Sequence, residues 1–181
     1  MTGLGRIGLT SLTLGMILYA AEDRLSDKGL YRLNKEVRHE LVMLPYYGVF
    51  DNLAYRVAPD GVVTLFGQVT RPTLKSDSEN VTKSIEGVSR VINEIEVLPL
   101  SPNDDRIRIA MYRAIYGSVG LDRYALQAVP SIHIIVKNGN AWLEGVAASE
   151  ADKNRAGIIA NGVAGVFSLK NNLRWEETHQ R

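Results

Sequence analysis

Only three histidines and no cysteine occur in the 181 residues of the chain. Without a thiol there is no disulfide framework, no thiolate zinc site, no cysteine nucleophile and no lipid-modified cysteine. Glu36, His39 and Glu40 stand at i, i+3 and i+4 spacing, which can gather a metal on a helix. Exposed helix faces carry such triplets as ordinary solvated charge, so no metal site is expected. His133 falls in a predicted strand and His179 in a polar tail. No serine or carboxylate is accompanied by a recognisable base and orienting partner, and the chain is expected to be non-catalytic and free of cofactors. Gly3, Gly5 and Gly8 spell G-x-G-x-x-G, but only Met1 and Thr2 precede Gly3, leaving no room for the strand that a dinucleotide fingerprint requires.

The side chains that remain chemically telling are aromatic and basic, and most lie in the second half. Tyr112 and Tyr116 are one helical turn apart and share a helix face. Tyr124, Trp142 and Trp175 follow, and Arg106, Arg108 and Arg113 stand nearby. An apolar ring with a polar handle suits a membrane interface, although the same rings would equally complete the core of a small domain. Arginines would supply a local attraction that the chain as a whole lacks. Lysine and arginine number 21 against 20 acids, and residues 1–21 contain Arg6 and no acid, so the remainder is formally neutral. That balance argues against nucleic acid, which needs a clustered cationic excess. A hydrophobic content of 45% with 23% charged residues supports one or two packed domains.

The elements that must position these residues come in two copies. At a shift of 78, Asp60-Gly61 falls on Asn138-Gly139, Leu65 on Leu143, Gly67 on Gly145, Gly87-Val88 on Gly165-Val166 and Asn93 on Asn171, with no gap from Leu53/Ser131 to Val97/Trp175. Leu33, Val37, Leu41 and Leu44 recur at helical spacing and predict a helix from about Leu30 to Leu44, ending before Pro45. Its counterpart carries Ile107, Met111 and Ile115 at a shift of 74 and begins near Asp104, whose carboxylate is expected to cap it. The following loop, Gly117 to Pro130, is four residues longer than in the first copy. Runs Leu53–Ala58 and Val62–Val69, and Ile132–Lys137 and Ala141–Ala147, read as hairpins with Asp-Gly and Asn-Gly in type I′ turns. Thr70 with Pro72, and Ser149 with Asp152, predict second-helix starts. Gly87 and Gly165 are expected at the helix C′ position. Val91–Val97 and Leu169–Trp175 complete each copy as a third strand.

Each copy is thus an αββαβ unit marked by a turn glycine, a glycine within the second strand and a Gly-Val after the second helix: Gly61, Gly67 and Gly87-Val88, then Gly139, Gly145 and Gly165-Val166. In this it resembles the BON domain. The resemblance covers residues 30–99 and 104–176, joined by a linker at 100–103 and followed by a polar tail at 177–181. It implies an α+β fold in which each module packs two helices on a three-stranded mixed sheet. It further implies export to the bacterial periplasm or envelope, osmotic or envelope stress, and phospholipid binding.

Residues 1–21 fit export, with Arg6 before an uncharged stretch from Ile7 to Ala21 and the acids Glu22 and Asp23 after it; 22–29 then form a linker. This uncharged stretch, fifteen residues long, falls short of a bilayer span, so a cleaved signal is expected, with an uncleaved anchor or a docked helix as alternatives. The expected partner is a phospholipid membrane or an envelope protein, contacted mainly through the second copy. The alternative is a self-assembling homo-oligomer or filament, held together by open sheet edges and the N-terminal segment.

Overall fold

A computed structural model describes residues 25–175. The apolar segment 1–21, Gly3, Gly5, Gly8 and His179 lie outside the described residues. The elements run α1 (Asp27–Val42), β1 (Asn52–Val57), β2 (Val62–Val69), α2 (Pro72–Lys83), β3 (Arg90–Asn93) and β4 (Glu96–Val97), then α3 (Pro102–Tyr116), β5 (Ile132–Lys137), β6 (Asn140–Ala147), α4 (Glu150–Asn161), β7 (Ser168–Asn171) and β8 (Arg174–Trp175). The fold is α+β, with two BON-like modules. In each, the first two strands are antiparallel and the third runs parallel to the second.

Both first helices begin earlier than their apolar periodicity, because a serine caps each. Ser26 Oγ accepts from the Gly29 amide, and Ser101 Oγ accepts from the Asp104 amide at 3.2 Å. Asp104 is therefore not the cap. Its buried carboxylate instead accepts the amides of Asn138 and Gly139 at 2.8 and 2.9 Å, bracing the β5–β6 turn. Thr70 does not cap α2 either. Arg71 holds that position, while the Thr70 amide and hydroxyl both donate to the buried Asp51 carboxylate. Ser149 does cap α4, accepting from the Asp152 amide at 3.1 Å.

The two hairpins differ by one residue. Asn138 and Gly139 both have positive φ, as a two-residue type I′ turn requires. In the first module Pro59 fixes its own φ negative, so the chain makes a tight turn closed by the Gly61 amide on the Ala58 carbonyl, and only Gly61 turns left-handed. Leu53 then pairs with Gly67 just as Ile132 pairs with Gly145. The first strands thus correspond at a shift of 79, one more than the ungapped alignment assumed, and this correction keeps Leu53, Tyr55 and Val57 facing the helices as Ile132, Ile134 and Val136 do.

Gly67 and Gly145 sit where the first strand crosses closest. A Cβ on Gly67 would lie 2.0 Å from the Asn52 carbonyl oxygen, and one on Gly145 would lie 2.1 Å from that of Ser131; both have φ above 100°. Gly87 and Gly165 lie beyond the C′ position. The helices stop at Ser84 and Gly162, and these glycines occupy a second turn, closed by the Val88 amide on Ile85 and the Val166 amide on Val163. The third strand is split in both modules, because Asn93 and Asn171 turn back to accept from the Ile95 and Leu173 amides while donating to the Lys75 and Lys153 carbonyls on the second helix.

The helices bury Leu33, Val37, Leu41 and Leu74 against one sheet, and Ile107, Met111, Ile115 and Ala156 against the other. Each large apolar side chain so placed contributes roughly 1.5–3 kcal/mol. Replacing Gly67 by alanine should destabilise the protein by about 3 kcal/mol or more, from positive φ and overpacking together. Urea unfolding measures this; a loss under about 1 kcal/mol would show that the close crossing relaxes freely.

Candidate functional site

The β5 strand is buried along nearly its whole length, although it is the outer strand of its sheet. Its inner residues Ile132, Ile134 and Val136 fill the second core. Its outer residues meet the first module. The Tyr47 ring stacks on His133 with centroids 5.6 Å apart, Lys137 pairs with Glu96, and Ile135 is buried on that same side. Val49 and Phe50, from the loop after α1, pack against the second core, and Phe50 meets Tyr112 edge-on at 6.2 Å.

The backbone edge of β5 is closed as well. The Ile132 carbonyl accepts from the Tyr116 hydroxyl at 2.5 Å, the Ile134 amide donates to the Val49 carbonyl at 2.8 Å, and the Val136 carbonyl accepts from Arg108 Nη2 at 2.6 Å. These alternate residues present their polar groups outward because β6 engages the intervening ones. Without such partners this buried edge would carry unsatisfied groups at a cost of about 1–3 kcal/mol each.

That geometry removes three residues from the expected binding set. Tyr116 is buried and spends its hydroxyl on Ile132, and burial raises its pKa. Arg108 is buried, pairs with Asp105 and holds Val136, so it cannot present charge outside; its Nε has no partner. Tyr124, within the 3-10 turn Asp122–Leu126, donates to Asp152 at 2.8 Å and accepts from the Ala148 amide at 2.7 Å, tying the long loop to α4. Tyr112 is half-buried against Tyr116, 4.8 Å between centroids. The tyrosine pair does share one face, but that face points into the core and the junction between modules.

The other four candidates retain exposure, and the structure does not gather them into one site. Arg106 and Arg113 are exposed on α3, with Ile109 between them. Trp142 is half-buried on the helix-free side of β6, paired in register with Ile135. Trp175 is half-buried in β8 under the Lys153 ammonium, 4.6 Å from its ring centre. Of Glu36, His39 and Glu40, where no metal site is expected, Glu36 is engaged by Arg32 at 3.1 Å.

The first module also exposes aromatic rings. Tyr46 is 72% exposed, adopts φ 68° and lies beneath the Arg71 guanidinium, 4.7 Å from its ring centre. That φ belongs to the turn Leu44-Pro45-Tyr46-Tyr47, closed by the Tyr47 amide on the Leu44 carbonyl, which brings Tyr47 against the first core. Tyr31 and Met43 are 74% and 67% exposed. No helix among the described residues is long and apolar enough to cross a membrane.

The BON domain family model matches residues 43–99 and 119–177, more than half of the chain, and the chain belongs to that family. Both matched stretches begin after the first helix of their module. The chain is 32% identical over 115 residues to osmotically-inducible protein Y of Escherichia coli (strain K12), a match spanning 62% of this chain and 57% of that protein. Solved structures of CdsD, a structural protein of the type III secretion system of Chlamydia trachomatis, cover 81% and 80% of the chain at 15% and 14% identity. Their TM-scores, 0.30 and 0.29, are too low to bear on fold or role.

Two predictions follow from the closed edge. Tyr116→Phe leaves the Ile132 carbonyl without its donor and should cost about 1–3 kcal/mol in urea unfolding; a neutral result would mean that water replaces the hydroxyl. His133 is nearly buried, and that desolvation lowers its pKa below 6.5 despite the opposing pull of the Gly48 carbonyl, 3.3 Å away, and of Asp51. Below pH 6.5 the unfolded chain therefore binds the proton more readily than the folded one, so stability is full above that pH and declines as pH falls. His133→Gln should flatten unfolding free energy between neutral and mildly acid pH; an unchanged slope would assign the dependence elsewhere.

Proposed function

We propose that the protein is a non-catalytic component of the bacterial envelope that attaches to phospholipid membranes under osmotic stress, with residues 1–21 directing its export. Membership of the BON family and the likeness to an osmotically inducible protein support the setting. The observation that carries the membrane reading is the exposure of Tyr31, Met43 and Tyr46 alongside Lys28, Lys35 and Arg71, a mixture of apolar surface and cations suited to the headgroup layer. Self-association through the β5 edge has less support, because Tyr116, Arg108 and Val49 already occupy it.

Flotation of the full-length chain with vesicles of phosphatidylglycerol and phosphatidylethanolamine tests the reading. Co-migration with the vesicles is expected. A chain that stays at the bottom of the gradient with both anionic and neutral vesicles is not a membrane-binding protein.

A further inference from the structure

We infer that the β1 edge of the first module is a docking site for the second module of another molecule of this chain, so that the protein associates head to tail. The inference is independent of the membrane reading and starts from a contact already present inside the chain. There the loop after α1 covers the β5 edge: the Val49 carbonyl takes the Ile134 amide, and Tyr47 lies on His133. The chain carries the two halves of that contact a second time, one in each module, and neither is used.

The unused edge is that of β1. It is the outer strand of its sheet, and Leu53, Tyr55 and Val57 occupy the register of Ile132, Ile134 and Val136. Tyr116 and Arg108 serve the Ile132 and Val136 carbonyls; their places on α1 are held by Val42, which has no donor, and by Asn34, whose amide donates to the Leu30 carbonyl instead. Among the described residues no backbone carbonyl reaches the Tyr55 amide across that edge. Unpaired edge groups of this kind are a template for another chain.

The unused loop is that of the second module. At the shift of 79 that relates the first strands, Leu126, Ala128 and Val129 stand where Tyr47, Val49 and Phe50 stand. Tyr47, Val49 and Phe50 are half-buried, whereas Leu126 is 87% exposed, Ala128 is exposed, and the Ala128 carbonyl accepts no backbone hydrogen bond among the described residues. Tyr124 ties the loop to Asp152 and Ala148, so it is presented in an ordered form and loses little freedom on docking. Docked as Val49 is on β5, it brings the Ala128 carbonyl to the Tyr55 amide, and Leu126 to Ala54, which holds the place of His133. An aliphatic pair thus replaces a stacked aromatic one. The ion pair of Glu96 with Lys137 has an analogue of reversed sign. Arg174 holds the place of Glu96, and Asp60 lies two residues beyond Ala58, which holds that of Lys137; Arg174 and Asp60 are exposed and have no ion-pair partner among the described residues.

The occupant is a second molecule of this chain and not an unrelated peptide, because loop and edge are the two sides of a contact that the sequence already makes. Such a contact is heterologous. Each docking leaves one edge and one loop at the ends of the assembly, which then grows into a chain or closes into a ring.

Sedimentation velocity of the full-length chain from about 5 to about 500 µM, the range of small untethered contacts, provides the test. The wild-type sedimentation coefficient is expected to rise with concentration. Leu126→Lys and Ala54→Lys each place a charge inside the contact and should weaken association about tenfold or more. Both should melt close to wild type, since Leu126 is solvated and Ala54 lies on the helix-free side of its sheet. An equimolar mixture of the two variants should regain association but stop at the dimer, because the intact loop of one meets the intact edge of the other and the remaining edge and loop both carry the new charge. Wild type that stays monomeric throughout overturns the proposal. Undiminished association of Leu126→Lys overturns it too, since a symmetric pairing of β1 edges would not involve that loop, and so does a mixture no more associated than its parts. Should Ala54→Lys fail to fold, Leu126→Lys decides alone: lost association supports the contact, and retained association refutes it.

Discussion

The backbone of β5 must be satisfied on both edges, and only one edge has a strand beside it. Much of the arrangement follows from that requirement. Ile132-His133-Ile134-Ile135-Val136 is apolar on both sides apart from one histidine, so the strand cannot lie at a solvated rim. It is covered by the loop after α1, whose Val49 carbonyl takes the Ile134 amide and whose Tyr47 lies flat on His133. The same burial lifts the Tyr47 pKa to about 12. The first module thereby acts as the missing wall of the second, and the tandem is held by more than its short connection through Pro99 and Leu100.

This closure decides which side chains remain for other work. Tyr116 and Arg108 are occupied with β5, and Tyr124 and Asp152 with the long loop, so residues that look interfacial by composition are internal by position. The first module has no comparable obligation. Ala54 and Arg56 take the places of His133 and Ile135 on its outer side, and they leave that strand less buried. Its α1 can therefore keep an outward face of lysines, arginine and tyrosine without competing against a core.

Much of the fold was legible because glycine has few substitutes where the backbone passes within 2.0 Å of a would-be Cβ. Gly67 and Gly145 are required by sterics, which is why they recur at the same spacing. Helix starts were less legible, since Ser26, Arg71 and Ser101 compete with Asp104 and Thr70 for the cap, and the losers proved to serve a turn and a buried aspartate. The extra residue in the first hairpin was hidden because Pro59 and the aligned Lys137 leave no mark in an ungapped comparison of glycines. Tyr116 and Arg108 could not be placed from local pattern, because their partners on β5 are 16 and 28 residues away.

The closed edge can be read directly by hydrogen exchange at two matched amides. Ile134 and Tyr55 occupy the same register, opposite Leu143 and Leu65, but only Ile134 has a partner across the outer edge among the described residues. Native-state exchange followed by NMR should find the Ile134 amide protected nearly to the level of global unfolding and the Tyr55 amide exchanging by local opening. Equal, rapid exchange at both would mean that the first module does not cover β5 in solution, and the account of the tandem as one interlocked body would be wrong.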